Sequence, residues 1–308
     1  MTKSRRPYAG VLPVVPTAFL ETGELDLESQ RRVVDCMIDL GADGICILAN
    51  FGEQFALADH ERDRLMDTCL THAGGRLPVV VGVSHFSTRI AADRARAAAR
   101  SGADLLMLMP PYHGLGVKTE EQTIVEHFAA VADAAGIPLI VQDAPISGVT
   151  LSVPFLVTLA QKVELVRYFK IEVPGTASKL RNLIAQGGSS IEGPFDGEES
   201  ITLMADLDAG ATGTMCSALL PDLILNVVQQ YRHGHRKDAA SAYAHILPLI
   251  NFENKQCGLR AAKTVLMEAG VIRSDAVRHP LEPLCPSTRA GLLEIVRELN
   301  PKVLRWAR

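Results

Sequence analysis

Residues 166–172 read VRYFKIE, a mostly apolar run that ends in a lysine and a glutamate. Together with the preceding Val163-Glu164-Leu165, it has the β-branched and aromatic content of a buried strand. Pro174-Gly175 stop the run, and a helical pattern begins at Thr176. Lys170 therefore falls at or just past the C-terminal end of the strand. A lysine is costly to bury. One at the end of an inner strand is either paired or chemically active, and an amine nucleophile that attacks a ketone arises this way. The plainer alternative is a pairing with Glu172, two residues on and on the same strand face.

The unit of strand followed by helix recurs on both sides of this stretch. Apolar strand-like runs fall at 10–19, 41–49, 78–84, 103–110, 137–145, 166–172, 189–195 and 211–217. Helical periodicity follows each, from Asp26 and Glu28 to Leu40, and then at 59–72, 88–100, 119–135, 153–161, 176–186, 197–208 and 221–232. Glycine followed by alanine or isoleucine (Gly41-Ala42, Gly102-Ala103, Gly136-Ile137, Gly210-Ala211) marks the passage from helix end to strand start. Strands that are near-continuously apolar and alternate with helices imply a parallel sheet covered on its outer side. Eight such units imply a closed (β/α)8 TIM barrel over residues 1–233. An open doubly wound sheet fits less well, because Pro16-Thr17-Ala18 after the first strand is not a glycine-rich phosphate loop. Residues 234–308 show helical patterns at 236–249, 254–269 and 287–298, read as a C-terminal helical extension packed on the barrel.

The 308 residues are 47% hydrophobic and 21% charged, with a net charge of −4. That balance implies a globular protein with a sizeable core and gives no basic surplus for nucleic acid or an anionic membrane. No apolar run approaches bilayer-spanning length, and Pro13 and Pro16 break the only candidate signal core. The six cysteines are scattered, without CxxC or other metal-ligand spacing. These features imply a reducing cytoplasm, no metal and no cofactor.

In a (β/α)8 barrel, catalytic groups lie at the C-terminal ends of the strands. That rule selects Thr17; Asn50, Phe51 and Glu53; Ser84 and His85; Tyr112 and His113; Gln142 and Asp143; Lys170 and Glu172; Glu192 and Asp196; and Cys216 and Ser217. One lysine, several carboxylates and several amide or hydroxyl groups can form a protonated imine with a 2-oxo acid and move its protons. Each also has a structural alternative: Glu192 as a partnered buried carboxylate, Asp143 as a cap, and the two histidines as exposed loop residues.

The motifs resemble those of the dihydrodipicolinate synthase / N-acetylneuraminate lyase family of Schiff-base lyases over nearly the whole length. PVVPTAF resembles the family's first strand, Ala49-Asn50-Phe51-Gly52-Glu53 its G-x-x-G-E loop, and Tyr112 its strand-four tyrosine. Lys170 resembles its Schiff-base lysine. The chain departs at Gln142-Asp143-Ala144-Pro145, where the family reads Y-N-x-P, so the usual proton-shuttling tyrosine is absent. Asn50-Phe51 replaces the family's pair of hydroxyl residues, and Ser147 falls about where the synthases carry a carboxylate-binding arginine. These departures argue against both a synthase and a sialic acid lyase. Within the family, ILANFGEQFA, MPPYHG, VQDAP, YFKIE-x-PG, IEGPFDGEE and LINFENKQ-x-G are similar to the bacterial L-2-keto-3-deoxyarabonate dehydratases.

That resemblance implies a hydro-lyase of pentose catabolism with Lys170 as nucleophile. It assigns proton transfer to Glu172 and Glu192, orientation to Gln142, and binding of a small 2-oxo acid to Asn50, Phe51, Tyr112, Asp143 and Ser217. It also implies a homotetramer built as a dimer of dimers. Three alternatives remain open: a 1-pyrroline-4-hydroxy-2-carboxylate deaminase, a 2-keto-3-deoxy acid aldolase, and a catalytically dead barrel that binds sugar acids.

Overall fold

A computed structural model describes residues 8–111 and 119–307. Eight parallel strands are present among these residues: β1 (Gly10–Val11), β2 (Ile45–Ile47), β3 (Val79–Gly82), β4 (Leu105–Leu108), β5 (Leu139–Asp143), β6 (Val166–Ile171), β7 (Gly193–Asp196) and β8 (Gly213–Thr214). From β2 to β8 each pairs with the next in chain order, and β8 pairs with β1. The seam between β1 and β2 is closed just beyond β1, where Val14 bridges Cys46 and the Val15 N–H donates to the Cys46 carbonyl at 2.9 Å. The sheet is thus a closed barrel.

The period-two alternation of strands sorts the side chains into two cores. Leu12, Val14, Cys46, Val80, Leu105, Met107, Ile140, Tyr168, Phe195 and Met215 fill the barrel interior. A larger cluster packs the outer strand faces against the helices. The helices that follow the strands are α1 (Leu27–Asp39), α2 (Asp59–Ala73), α3 (Thr88–Arg100), α4 (Glu121–Ala135), α5 (Val153–Lys162), α6 (Thr176–Gly187), α7 (Leu203–Asp208) and α8 (Pro221–Arg232). Asp26 caps α1 by accepting from the Ser29 N–H at 3.0 Å. The C-terminal helices are α9 (Arg236–Phe252), α10 (Arg260–Glu268) and α11 (Pro286–Leu299), with a π-turn over Glu253–Cys257 between the first two. No helix among the described residues is long and apolar enough to cross a membrane.

Among the elements whose extents differ from the sequence reading are the first and seventh strands and the seventh helix. The first strand is only two residues long, because Pro13 and Pro16 lack the N–H groups a continuous ladder needs. The seventh begins at Gly193, not at 189, since 188–190 form a 3-10 turn. The seventh helix begins at Leu203, not at 197, and the freed residues 197–202 form a strained turn over the barrel mouth. There Glu199 (φ 46°) and Ser200 (φ 68°) are both left-handed. Non-glycine residues pay roughly 1–3 kcal/mol each for such conformations and keep them mainly where surrounding structure or function requires it.

Candidate active site

The alternation that buries Ile140 and Tyr168 inside the barrel carries two residues on to Gln142 and Lys170. These sit opposite each other in the β5–β6 register, and Lys170 is also level with Phe195 of β7. Both side chains therefore point into the mouth, where they meet a cleft of about 190 Å³. Its walls are Val14, Ala49, Asn50, Phe51, Gln142, Pro145, Ile146, Lys170, Glu172 and Glu199. The volume suits a small molecule, being below the range of roughly 300–1,000 Å³ typical of drug-sized ligands.

Lys170 is 3% exposed, and its Nζ lies 2.7 Å from Glu172 Oε1. The same oxygen accepts from Gln142 Nε2 at 2.8 Å. Burial works against the charged amine, but the Glu172 and Glu199 carboxylates outweigh it and hold Lys170 above its ordinary lysine value. Gly197 makes the arrangement possible: a Cβ there would come within 2.7 Å of both the Lys170 and the Glu172 side chains. Lys170 is thus paired with Glu172, and it also faces an open cleft.

Glu199 was missed in the sequence because DGEES reads as a helix start. Its carboxyl is pushed well above the usual range, chiefly by burial and against the pull of Lys170. Consecutive left-handed residues at Glu199 and Ser200 turn the chain back over the mouth. Behind them, Ser200 Oγ and Thr214 Oγ1 are 2.9 Å apart, and Thr214 donates to Asp196 Oδ2 at 2.5 Å. Burial, followed by the nearby Asp206, raises Asp196 to about 8.

Asn50 and Phe51 line the cleft from a 3-10 turn, Asn50–Gly52. Gln54 Nε2 donates to Asn50 Oδ1 at 2.9 Å, and the Asn50 amide nitrogen donates to Met109 Sδ at 3.9 Å, which leaves it a second N–H. Thr17 does not reach the cleft; its hydroxyl donates to the Gly52 carbonyl at 2.6 Å and braces that turn.

The structure also places Glu192, Asp143 and Ser217 away from the cleft. Glu192 precedes β7, so it lies at the opposite, N-terminal end of the barrel. Its carboxylate takes Arg167 at 2.6 Å and the Tyr168 hydroxyl at 2.9 Å. Asp143 follows Gln142 and by alternation points outward, where Lys179 of α6 pairs with it at 2.5 Å. Ser217 is buried, and its hydroxyl donates to Glu253 Oε1 at 2.6 Å instead of lining the cleft. Tyr112 and His113 lie outside the described residues.

The Ser217–Glu253 contact carries its own expectation. Burial pushes the Glu253 carboxyl up to about 8, only partly offset by the Ser217 hydrogen bond. A raised acid binds its proton more tightly when folded, so its contribution is present below the ordinary carboxyl range and lost as pH rises through about 8. Glu253→Gln should therefore melt like the native chain at pH 5 and several degrees above it at pH 9, for a gain on the order of 1–2 kcal/mol. Calorimetry across pH checks this, and a difference that does not vary with pH would contradict it.

Known proteins resemble the chain over nearly its whole length. The family model described as the dihydrodipicolinate synthetase family matches residues 7–299. A curated protein from Azospirillum brasilense, an L-2-keto-3-deoxyarabonate dehydratase, is 55% identical over 308 residues and covers 100% of both chains. A 4-hydroxy-tetrahydrodipicolinate synthase from Kineococcus radiotolerans is 29% identical, over 93% of this chain and 92% of its own. The crystal structure of dihydrodipicolinate synthase from Aquifex aeolicus superposes with a TM-score of 0.88 at 24% identity, covering 95% of this chain and 98% of that one, which shows the shared fold. By family model, relatives and fold together, the chain belongs to the dihydrodipicolinate synthetase family.

Proposed function

We propose that this chain dehydrates L-2-keto-3-deoxyarabonate to 2,5-dioxopentanoate through a Schiff base on Lys170. The observation that carries the reading is the full-length 55% identity with the Azospirillum brasilense dehydratase. The cleft supplies the chemistry. Glu172, in contact with the Lys170 ammonium, is the nearest group to take its proton and free the amine to attack C2. Loss of the carbinolamine hydroxyl as water leaves a protonated imine, an electron sink that acidifies C3. Removal of a C3 proton gives the enamine. Departure of the C4 hydroxyl then gives a conjugated imine. Glu199, whose carboxyl burial pushes well above the usual range, is the group suited to protonate that leaving oxygen. Loss of a C5 proton and ketonisation form the aldehyde, and water releases Lys170. One water is consumed in hydrolysis and one was lost in imine formation, so the net change is loss of a single water, with no C–C bond broken.

Gln142 keeps Glu172 in place and stands where the family's lyases carry a tyrosine. Asn50 and Phe51 bind the substrate's carboxylate end and carbon chain. The reaction belongs to pentose catabolism, and the six free cysteines accord with a reducing cytoplasm. A homotetramer is the proposed assembly.

Incubation with L-2-keto-3-deoxyarabonate tests the reading. The expected product is a five-carbon semialdehyde without pyruvate. Pyruvate and glycolaldehyde would mark an aldolase, and turnover confined to the hydroxypyrroline carboxylate with ammonia release would mark a deaminase. Either result would overturn the proposal.

A further inference from the structure

The structure holds a second buried ion pair, away from Lys170. Glu53 and Lys263 are both 0% exposed and in direct contact, although they are far apart in sequence. Lys263 lies on α10, in the C-terminal helices, and Glu53 closes the turn that carries Asn50 and Phe51 into the cleft. A buried carboxylate without a partner is strongly unfavourable, so each charge requires the other.

The contact is built from several sides. Glu53 Oε2 accepts the Arg278 backbone N–H at 3.1 Å. Lys263 also donates to the Ala276 carbonyl at 2.6 Å, and its ammonium lies 4.3 Å from the Phe19 ring centroid. The Arg278 guanidinium lies 4.5 Å from the same ring. It donates to the Ala56 carbonyl at 2.9 Å and to both Glu61 oxygens, at 2.6 and 2.5 Å. Residues 263–278 thus grip the chain at Glu53 and just after it, at Ala56 and Glu61. The grip bears on backbone geometry as well, because Glu53 is left-handed (φ 55°), a conformation that a glutamate rarely adopts. Its N–H donates to the Asn50 carbonyl at 3.0 Å and closes the turn. If the side chain were released, the turn would be free to relax, and Asn50 and Phe51 would move with it.

We infer that Lys263, with Arg278, is a positioning residue for substrate: through Glu53 it sets the Asn50-Phe51 turn that receives the carboxylate end of a 2-oxo acid. The C-terminal helices are on this view part of the active-site scaffold. The inference rests on the Schiff-base reading of the cleft but not on which reaction follows imine formation, so pyruvate is a suitable probe.

The experiment measures capture of pyruvate on the enzyme by cyanoborohydride as a function of pyruvate concentration. Lys263→Met leaves Glu53 buried without its cation and can fail to fold. The double variant Glu53→Gln/Lys263→Met removes both charges and keeps the volume, and Glu53→Gln alone retains the Lys263–Ala276 bond. In the folded double variant the half-saturating pyruvate concentration should rise about tenfold or more, the scale on which displaced positioning groups act, while the capture rate at saturation stays within about threefold. Glu53→Gln should shift half-saturation in the same direction. An unchanged half-saturation, or a fall in the saturating rate alone, would overturn the inference. Absence of semialdehyde production by the unaltered enzyme would instead refute the dehydratase reading and leave this result standing.

Discussion

Lys170→Ala should abolish turnover of L-2-keto-3-deoxyarabonate, by roughly four orders of magnitude or more, the scale seen when a covalent nucleophile is removed. The loss should fall on kcat, since Asn50, Phe51 and Gln142 still line the cleft. It should not come from unfolding. Lys170 is buried with Glu172, and removing it leaves that carboxylate with Gln142 as a remaining hydrogen-bond donor at the open end of the barrel. Steady-state kinetics beside a thermal melt separate the two causes. Retention of normal turnover would end the Schiff-base account.

The second large effect separates the two glutamates. Glu199→Gln should still form the imine, with a smaller shift of its pH profile than Glu172→Gln because Glu199 comes after Glu172 among the groups that raise Lys170. It should cut dehydration by about 10²–10⁴-fold, the usual contribution of a positioned proton donor. Glu172→Gln should slow dehydration as well, but with a different pH signature. Glu172 is the strongest of the groups that raise Lys170 above its ordinary value, and it does so against the effect of burial. In the native enzyme the free amine is scarce at neutral pH, and imine capture should accelerate as pH rises. Without the Glu172 charge, burial pulls the amine down and the rise should move toward acid. Capture rates of pyruvate between pH 6 and 10, beside dehydration rates, read both effects. If Glu199→Gln dehydrates normally, its part passes to another group. If the capture profile of Glu172→Gln does not shift, the carboxylate does not control the amine.

The barrel was legible because its signals are local and repeated. Apolar runs alternate with amphipathic ones, and glycines mark helix ends, so α3 and α8 begin and end where the periodicity places them. Lys170, Glu172 and Gln142 were legible because a strand's C-terminal end in a parallel barrel has one position, the mouth. Glu192 went astray by a short register difference: starting β7 at Gly193 moves it from the mouth to the opposite end. Asp143 went astray because neighbouring strand residues face opposite sides, which proximity in sequence conceals. Ser217 is satisfied by Glu253 on a distant π-turn, and nothing local to either residue shows the pairing. Glu199 was hidden for a different reason. Its position depends on two left-handed non-glycine residues, a conformation that propensity argues against and that only the surrounding fold can hold. The Glu53–Lys263 pair spans most of the chain and had no local signal at all.

The most direct test is to mix the enzyme with L-2-keto-3-deoxyarabonate, quench with borohydride during turnover, and map the modified peptide by mass spectrometry. The expected result is a covalent adduct on Lys170 that retains all five substrate carbons, a substantial part of it in the dehydrated form. An adduct of three carbons, an adduct on another lysine, or semialdehyde formed with no adduct at all would contradict a Schiff-base dehydratase centred on Lys170.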